Sequence, residues 1–71
     1  MDKKLDYTKR FDEVDASNTY IGSASPYASE TDAVWQIKKI VISGTATSIK
    51  YASGNNWFDK KWDLRATYTY L

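Results

Sequence analysis

The chain of 71 residues carries ten basic and nine acidic side chains, a formal net charge of +1, and neither cysteine nor histidine. These absences exclude disulfides, thiolate nucleophiles and metal sites built from thiolate or imidazole, and they remove the usual general base of an enzyme. The sequence has no apolar run long enough to span a bilayer, and its charged first residues do not resemble a signal peptide. We therefore expect a soluble protein without a signal peptide and without membrane contact.

Residues 1–17 are interpreted as a charged N-terminal arm, because nine of the first fifteen residues are charged. Such a segment buries too little apolar surface to fold alone, so its structure is expected to come from whatever it lies on. Its isolated apolar side chains, Leu5, Tyr7 and Phe11, are the candidate docking contacts, and their spacing fits either a helix or a strand. The remaining residues, 18–71, are predicted to form one compact β domain.

The β domain is predicted to begin with a short strand near Asn18–Gly22, followed by a loop around Pro26. Residues 33–43 form the strongest element, although their apolar positions also fit a helical stripe. Five β-branched residues and Trp35 favour a strand. The alternation slips by one residue at Lys38-Lys39, which predicts a β-bulge there, since a straight strand would turn one apolar pair to solvent.

The second half of the domain continues the β pattern. A turn is predicted around Gly44, then a strand over residues 48–52 that completes a β-hairpin. Gly54-Asn55-Asn56 predicts another turn, and the alternation in residues 66–71 predicts a last strand. The fold class is therefore predicted to be all-β, a small antiparallel sheet or a sandwich- or barrel-like domain with a charged N-terminal arm.

Eleven aromatic residues are more than so small a core can easily bury. We expect the surplus to line an interface, since tyrosine and tryptophan are favoured at binding hot spots. The aromatic residues predicted to form the core or a subunit interface are Trp35, Tyr51, Trp57, Phe58, Trp62, Tyr68 and Tyr70.

Catalysis has little support in the sequence. The densest mixture of carboxylates and cations, residues 59–65, has the composition of a surface turn, and 71 residues leave little room for a substrate cleft. The carboxylates lack calcium-loop spacing, and three separated glycines make no phosphate loop. We therefore expect no enzyme activity, no cofactor and no metal site.

The charge is distributed unevenly along the chain. Residues 1–32 carry a net charge of −3 and residues 33–71 a net charge of +4. The basic side chains of the second half are interleaved with aromatic residues, a pattern by which small β-barrels bind single-stranded nucleic acid. The candidate basic patch consists of Lys38, Lys39, Lys50, Lys60, Lys61 and Arg65. Nucleic-acid binding is only the alternative to protein docking, because the acidic first half of the chain would repel phosphate.

Four segments between residues 20 and 70 have a distinctive spacing of aromatic residues and glycines. They are Tyr20-Ile21-Gly22-Ser23-Ala24-Ser25-Pro26, Ala33-Val34-Trp35-Gln36-Ile37-Lys38-Lys39-Ile40, Ile49-Lys50-Tyr51-Ala52-Ser53-Gly54-Asn55 and Phe58-Asp59-Lys60-Lys61-Trp62-Asp63-Leu64-Arg65-Ala66-Thr67-Tyr68-Thr69-Tyr70. These segments resemble a group of short virion and tail-associated proteins of tailed bacteriophages. The resemblance implies a structural or accessory component of the phage particle, as capsid decoration or in the tail or fibre. The implied partners are other phage structural proteins and further copies of the chain, and the implied location is the virion. An inhibitor of a host protein fits the size equally well and stays open.

Overall fold

A computed structural model describes residues 7–71 and shows one antiparallel sheet with the strand order β1-β2-β3-β4. The prediction of an all-β fold is confirmed. The elements are β1 (Thr8–Asp15), β2 (Asn18–Ala24), β3 (Gln36–Ser43), β4 (Ala46–Tyr51) and a 3₁₀ helix (Trp62–Thr67). None of the helices among these residues is long and apolar enough to cross a membrane.

The first strand lies within the segment interpreted as an arm. β1 pairs with β2 from Thr8 opposite Ala24 onward, so the sheet extends N-terminal to the predicted boundary at residue 18. A tight turn joins the two strands, in which the Ser17 N–H and the Asn18 side-chain amide donate hydrogen bonds to the Asp15 carboxylate. These donors, Ser17 first, hold the pKa of Asp15 below its ordinary value.

β3 is a strand, as predicted, but the predicted bulge at Lys38-Lys39 is wrong. Its register is unbroken against both neighbours, β2 and β4. Because side chains alternate across a straight strand, Ile37 points to one face of the sheet and Ile40 and Ile42 to the other. The two apolar pairs that suggested a bulge, Trp35 with Ile37 and Ile40 with Ile42, therefore lie on two different faces of the sheet.

The β3–β4 hairpin confirms the turn predicted around Gly44. The two strands are joined by two residues, Gly44 and Thr45, and Gly44 adopts a φ of 62°. Two-residue hairpin loops need a positive φ that glycine reaches without steric cost. The turn therefore fixes the register of β4 on β3.

One face of the sheet, here called the covered face, lies under residues that follow β2 and β4. Its core consists of Ala24, Trp35, Ile37, Ala52 and Trp62. The rings of Trp35 and Trp62 meet with centroids 5.8 Å apart. Both rings lie over Gly22, where a Cβ atom would come within 2.6 Å of Trp62 and 3.0 Å of Trp35. A residue without a side chain is what allows the two indoles to approach β2.

Two segments carry the tryptophans to the covered face. In the first, residues 25–34, the Trp35 Nε1–H donates to the Ser29 carbonyl at 2.9 Å. A turn in this segment, closed by a bond from the Ala28 N–H to the Ser25 carbonyl, presents Tyr27 with a φ of 69° and 93% exposure. In the second segment, which lies between β4 and the 3₁₀ helix, reciprocal backbone hydrogen bonds join Lys60 to Trp35, two residues before the helix begins at Trp62.

The prediction of a strand over residues 66–71 is wrong for most of that segment. Residues 66 and 67 belong to the 3₁₀ helix, and Tyr70 makes an isolated bridge with Ala52. Leu71 exchanges backbone hydrogen bonds with Tyr51. The alternating tyrosines instead pack on the core, where the Tyr70 ring lies 5.5 Å from that of Tyr20.

Tyr70 is expected to make the stability of the fold sensitive to alkaline pH. Burial, and after it the neighbouring Tyr20 and Tyr68, raise the pKa of Tyr70 far above its ordinary value, while its hydroxyl donates to the Arg65 carbonyl at 2.7 Å. Because the unfolded chain releases this proton at a lower pH than the folded chain does, stability falls as the pH rises above about 10. We expect the stability advantage of wild type over Tyr70→Phe, about 1 kcal/mol at neutral pH, to shrink above that pH.

Urea denaturation of the two proteins across the alkaline range measures this difference. Lysines titrate over the same range, but they do so in both proteins and cancel in the comparison. An advantage of wild type that stays constant up to the most alkaline pH would contradict the assignment to Tyr70.

Candidate protein-docking face

The other face of the sheet, here called the open face, carries apolar side chains on all four strands, together with polar ones such as Lys9, Glu13 and Lys38. Residues directly opposite in the register share a face, so Phe11 and Ile21 lie side by side, as do Ile40 and Ile49. The apolar side chains of the open face are Phe11, Ile21, Ile40, Ile42, Ile49 and Tyr51. A sheet with one solvated face normally alternates apolar and polar residues, and this one does not.

The open face is accessible to solvent. Phe11 is 70% exposed, Ile49 58% and Ile42 43%, whereas Trp35 and Ile37 on the covered face are fully buried. Single exposed apolar residues are ordinary, but a contiguous group on neighbouring strands marks an interaction surface.

Residues 55–58 border the open face at one end. The Gln36 side-chain amide donates to the Asn56 carbonyl at 3.1 Å, and Phe58 stacks on Tyr7 with centroids 5.7 Å apart. The Lys9 ammonium lies 5.7 Å from the Tyr7 ring centroid. These contacts extend the apolar surface beyond the strands with further aromatic rings.

Lys38 is the cation at the middle of the open face. It stands opposite Ile21 on β2 and opposite Tyr51 on β4. Its ammonium lies 5.9 Å from the Tyr51 ring centroid, so the aliphatic stem covers apolar surface while the charge stays near water. A partner that covers this face must leave the ammonium hydrated or supply a carboxylate to it.

The seven predicted core or interface aromatics divide between the two sides of the sheet. Trp35 and Trp62 form the core, and Tyr68 and Tyr70 pack against it. The other three lie outside that core: Tyr51 on the open face, Phe58 at its border, and Trp57 beside Phe58 in the chain and 65% exposed.

Of the three predicted docking contacts in the arm, Phe11 lies on the open face and Tyr7 at its border. Leu5 lies outside the described residues. The isoleucines of the open face, Ile21, Ile40, Ile42 and Ile49, were missed by the sequence analysis. The signal that could have found them is the second alternation, Ile40 and Ile42, read as a second apolar face.

The six residues of the candidate basic patch do not come together on one surface. Lys38 points to the open face, while Lys39 and Lys50 are opposite each other on the other side of the sheet. Lys60 is buried, with its ammonium bonded to Asn55 and paired with Asp59.

The two remaining basic residues lie beyond the strands. Arg65 Nε donates to Asp12 at 2.9 Å, and its guanidinium lies 4.6 Å from the Trp62 ring. Lys61 is exposed, and its backbone N–H donates to the Tyr68 hydroxyl. Of the six basic residues, Lys38, Lys39 and Arg65 make cation–π contacts with aromatic rings of the fold.

Residues 7–71 contain no pocket and no cluster of three or more potential metal-ligating side chains. The expectation of a chain without enzyme activity stays a prediction.

Comparison of the chain with family models, with curated proteins and with solved structures gives no match. The resemblance to virion proteins of tailed phages therefore stays a prediction that depends on the motifs given above.

Proposed function

We propose that this chain is a non-enzymatic accessory protein that binds another protein through the open face. The observation that supports the proposal is the exposure of Phe11, Ile42 and Ile49 on one side of a sheet whose other side is already packed, with Ile21 and Ile40 on the strands between them. Covering such a surface removes apolar area from water at roughly 25 cal/mol per Å², which is the main driving force of protein association.

The size of the domain supports the same proposal. A chain of 71 residues buries little apolar area of its own, and here only five hydrophobic side chains form the core of the described residues. Small domains commonly gain stability by docking or oligomerisation. A partner on the open face would make β2 and β3 buried on both sides.

Lys38 sets the chemistry of the proposed partner. The matching surface is apolar and carries one acidic side chain opposite the ammonium, since an unpaired buried charge would cost several kcal/mol. A structural protein of a tailed-phage particle is the partner that the motif resemblance suggests, and the virion is then the proposed location of the chain.

Ile49→Lys tests the proposal. The side chain is exposed, so we expect the change in folding free energy to stay within about 0.5 kcal/mol. Binding to the partner is expected to weaken by at least about tenfold, because the new ammonium would be desolvated without a carboxylate. Ser48→Lys is the matched control, with the same charge one residue away and on the opposite face.

The partner is found by placing a photo-crosslinking amino acid at position 49 or at position 48 in cells that produce phage particles. We expect one discrete adduct with a particle protein from position 49, lost when Lys38→Glu is added, and none from position 48. Equal labelling from both positions, or an adduct insensitive to Lys38→Glu, would reject the open face as the docking surface.

A further inference from the structure

β1 is an edge strand with a self-complementary sequence. It pairs with β2 on one side, and no strand among residues 7–71 pairs with its other side. From Lys9 to Glu13 it reads as two cations, one aromatic residue and two carboxylates. The charges reverse sign about Phe11, so the strand is complementary to a second copy of itself running in the opposite direction.

The pairing can be written residue by residue. In an antiparallel pair of two β1 strands with a two-fold axis at Phe11, the two Phe11 rings are neighbours. Lys9 then stands opposite Glu13 of the second copy, and Arg10 opposite Asp12 of the second copy. Each pair occurs twice, which gives four ion pairs across the new strand boundary.

The faces of the sheet agree with this register. Lys9, Phe11 and Glu13 belong to the open face, while Arg10 and Asp12 belong to the covered face. Opposite residues in a ladder share a face, so every proposed ion pair joins side chains that already point to the same side.

The existing ion pairs of β1 leave room for the new ones. Arg10 Nε binds Glu30 at 3.0 Å, and Asp12 Oδ2 accepts from Arg65 at 2.9 Å. Both pairs lie partly in solvent. The Arg10 guanidinium has further N–H donors, and the Asp12 carboxylate has a second oxygen, so each can bind an additional partner. Pairing across the edge would extend them into a row of alternating charges.

We propose that β1 is a self-association strand, through which two copies of this chain join edge to edge into one continuous eight-stranded sheet. Edge strands protected against association usually carry charges that repel another strand. In β1 the charges repel a parallel copy and attract an antiparallel one, and they surround Phe11, which is 70% exposed. The register irregularity between Glu13 and Asp15 ends the pairing segment.

The dimer places two open faces side by side on one sheet. The proposed docking surface is then doubled, and two partner molecules or one symmetric partner can be bound. The self-association itself does not depend on the docking function, because it uses the backbone edge of β1 and not the isoleucines of β3 and β4.

Charge reversal at positions 9 and 13 tests the dimer in the full-length chain by sedimentation equilibrium. These two side chains are chosen because they take no part in the ion pairs with Glu30 and Arg65. Lys9→Glu and Glu13→Lys are each expected to weaken the wild-type dimer by at least about tenfold, since each puts like charges opposite one another twice.

Two restorations distinguish pairing from misfolding. A mixture of the Lys9→Glu and Glu13→Lys proteins is expected to form a heterodimer, and the double variant Lys9→Glu/Glu13→Lys is expected to regain the homodimer. Circular dichroism and thermal unfolding confirm that each variant folds. Ile49→Lys should leave the dimer intact, so loss of docking and loss of self-association are separate results.

Three results would overturn the proposal. These are a wild-type chain that is monomeric at every concentration measured, single variants that dimerise as wild type does, and a mixture that stays monomeric.

Discussion

Trp35→Ala is expected to remove a large part of the folding free energy of this domain. Trp35 is fully buried, packs on Trp62 and donates its indole N–H to the Ser29 carbonyl. Truncating a buried tryptophan costs about 3–5 kcal/mol. A chain of 71 residues has a total stability of about 4–10 kcal/mol at ordinary values per residue, so the variant is expected to lose between about a third and all of that stability.

Urea denaturation followed by circular dichroism measures the effect. Trp57→Ala is the matched control, because the same side chain is removed from a position that is 65% exposed. We expect the control to stay within about 1 kcal/mol of wild type. Equal losses in the two variants would mean that Trp35 and Trp62 do not form the core.

The strands of this fold could be predicted from the sequence because their apolar and β-branched residues alternate locally. β2, β3 and β4 all lie where that pattern indicated strands. The bulge in β3 was predicted on the assumption that every apolar pair must meet one core. Alternation gives the period of the side chains but not the number of faces that carry apolar residues, and here both faces do.

β1 shows a different limit of sequence patterns. Its charge density indicated a segment unable to fold alone, and that inference concerned the isolated segment. In the sheet, β2 supplies its backbone partners, and Arg65 and Glu30 supply partners for Asp12 and Arg10. These contacts join residues far apart in the chain, so no local pattern contains them.

The candidate site was only partly predicted, because it too depends on contacts between residues far apart in the chain. Phe11 was predicted as a docking contact of the arm and Phe58 as an aromatic residue of the core or of an interface, and both are exposed. Residues 25–34 and the 3₁₀ helix cover the opposite face of the sheet, and this covering decides that the isoleucines, with these aromatic residues, stay on the exposed side. That choice is made by packing between distant segments.

Gly22→Ala is expected to destabilise the domain by about 1–3 kcal/mol, the usual cost of overpacking a core. The added methyl would lie 2.6 Å from one atom of the Trp62 ring and 3.0 Å from the Trp35 ring, and neither indole is the flexible end of a long side chain. Alanine itself is acceptable in a strand of ordinary backbone geometry, so the whole cost is steric.

A double-mutant cycle with Trp62→Phe separates steric cost from backbone cost. A smaller ring leaves space for the methyl, so Gly22→Ala is expected to cost less in the Trp62→Phe background than in wild type. Gly44→Ala is the control, because its added methyl meets nothing within 4 Å while its φ of 62° strains any side chain. Its cost of about 1 kcal/mol should be the same in both backgrounds. Identical costs of Gly22→Ala in the two backgrounds would mean that the indoles do not pack on β2. The assignment of one face of the sheet as covered and the other as open would then lose its main support.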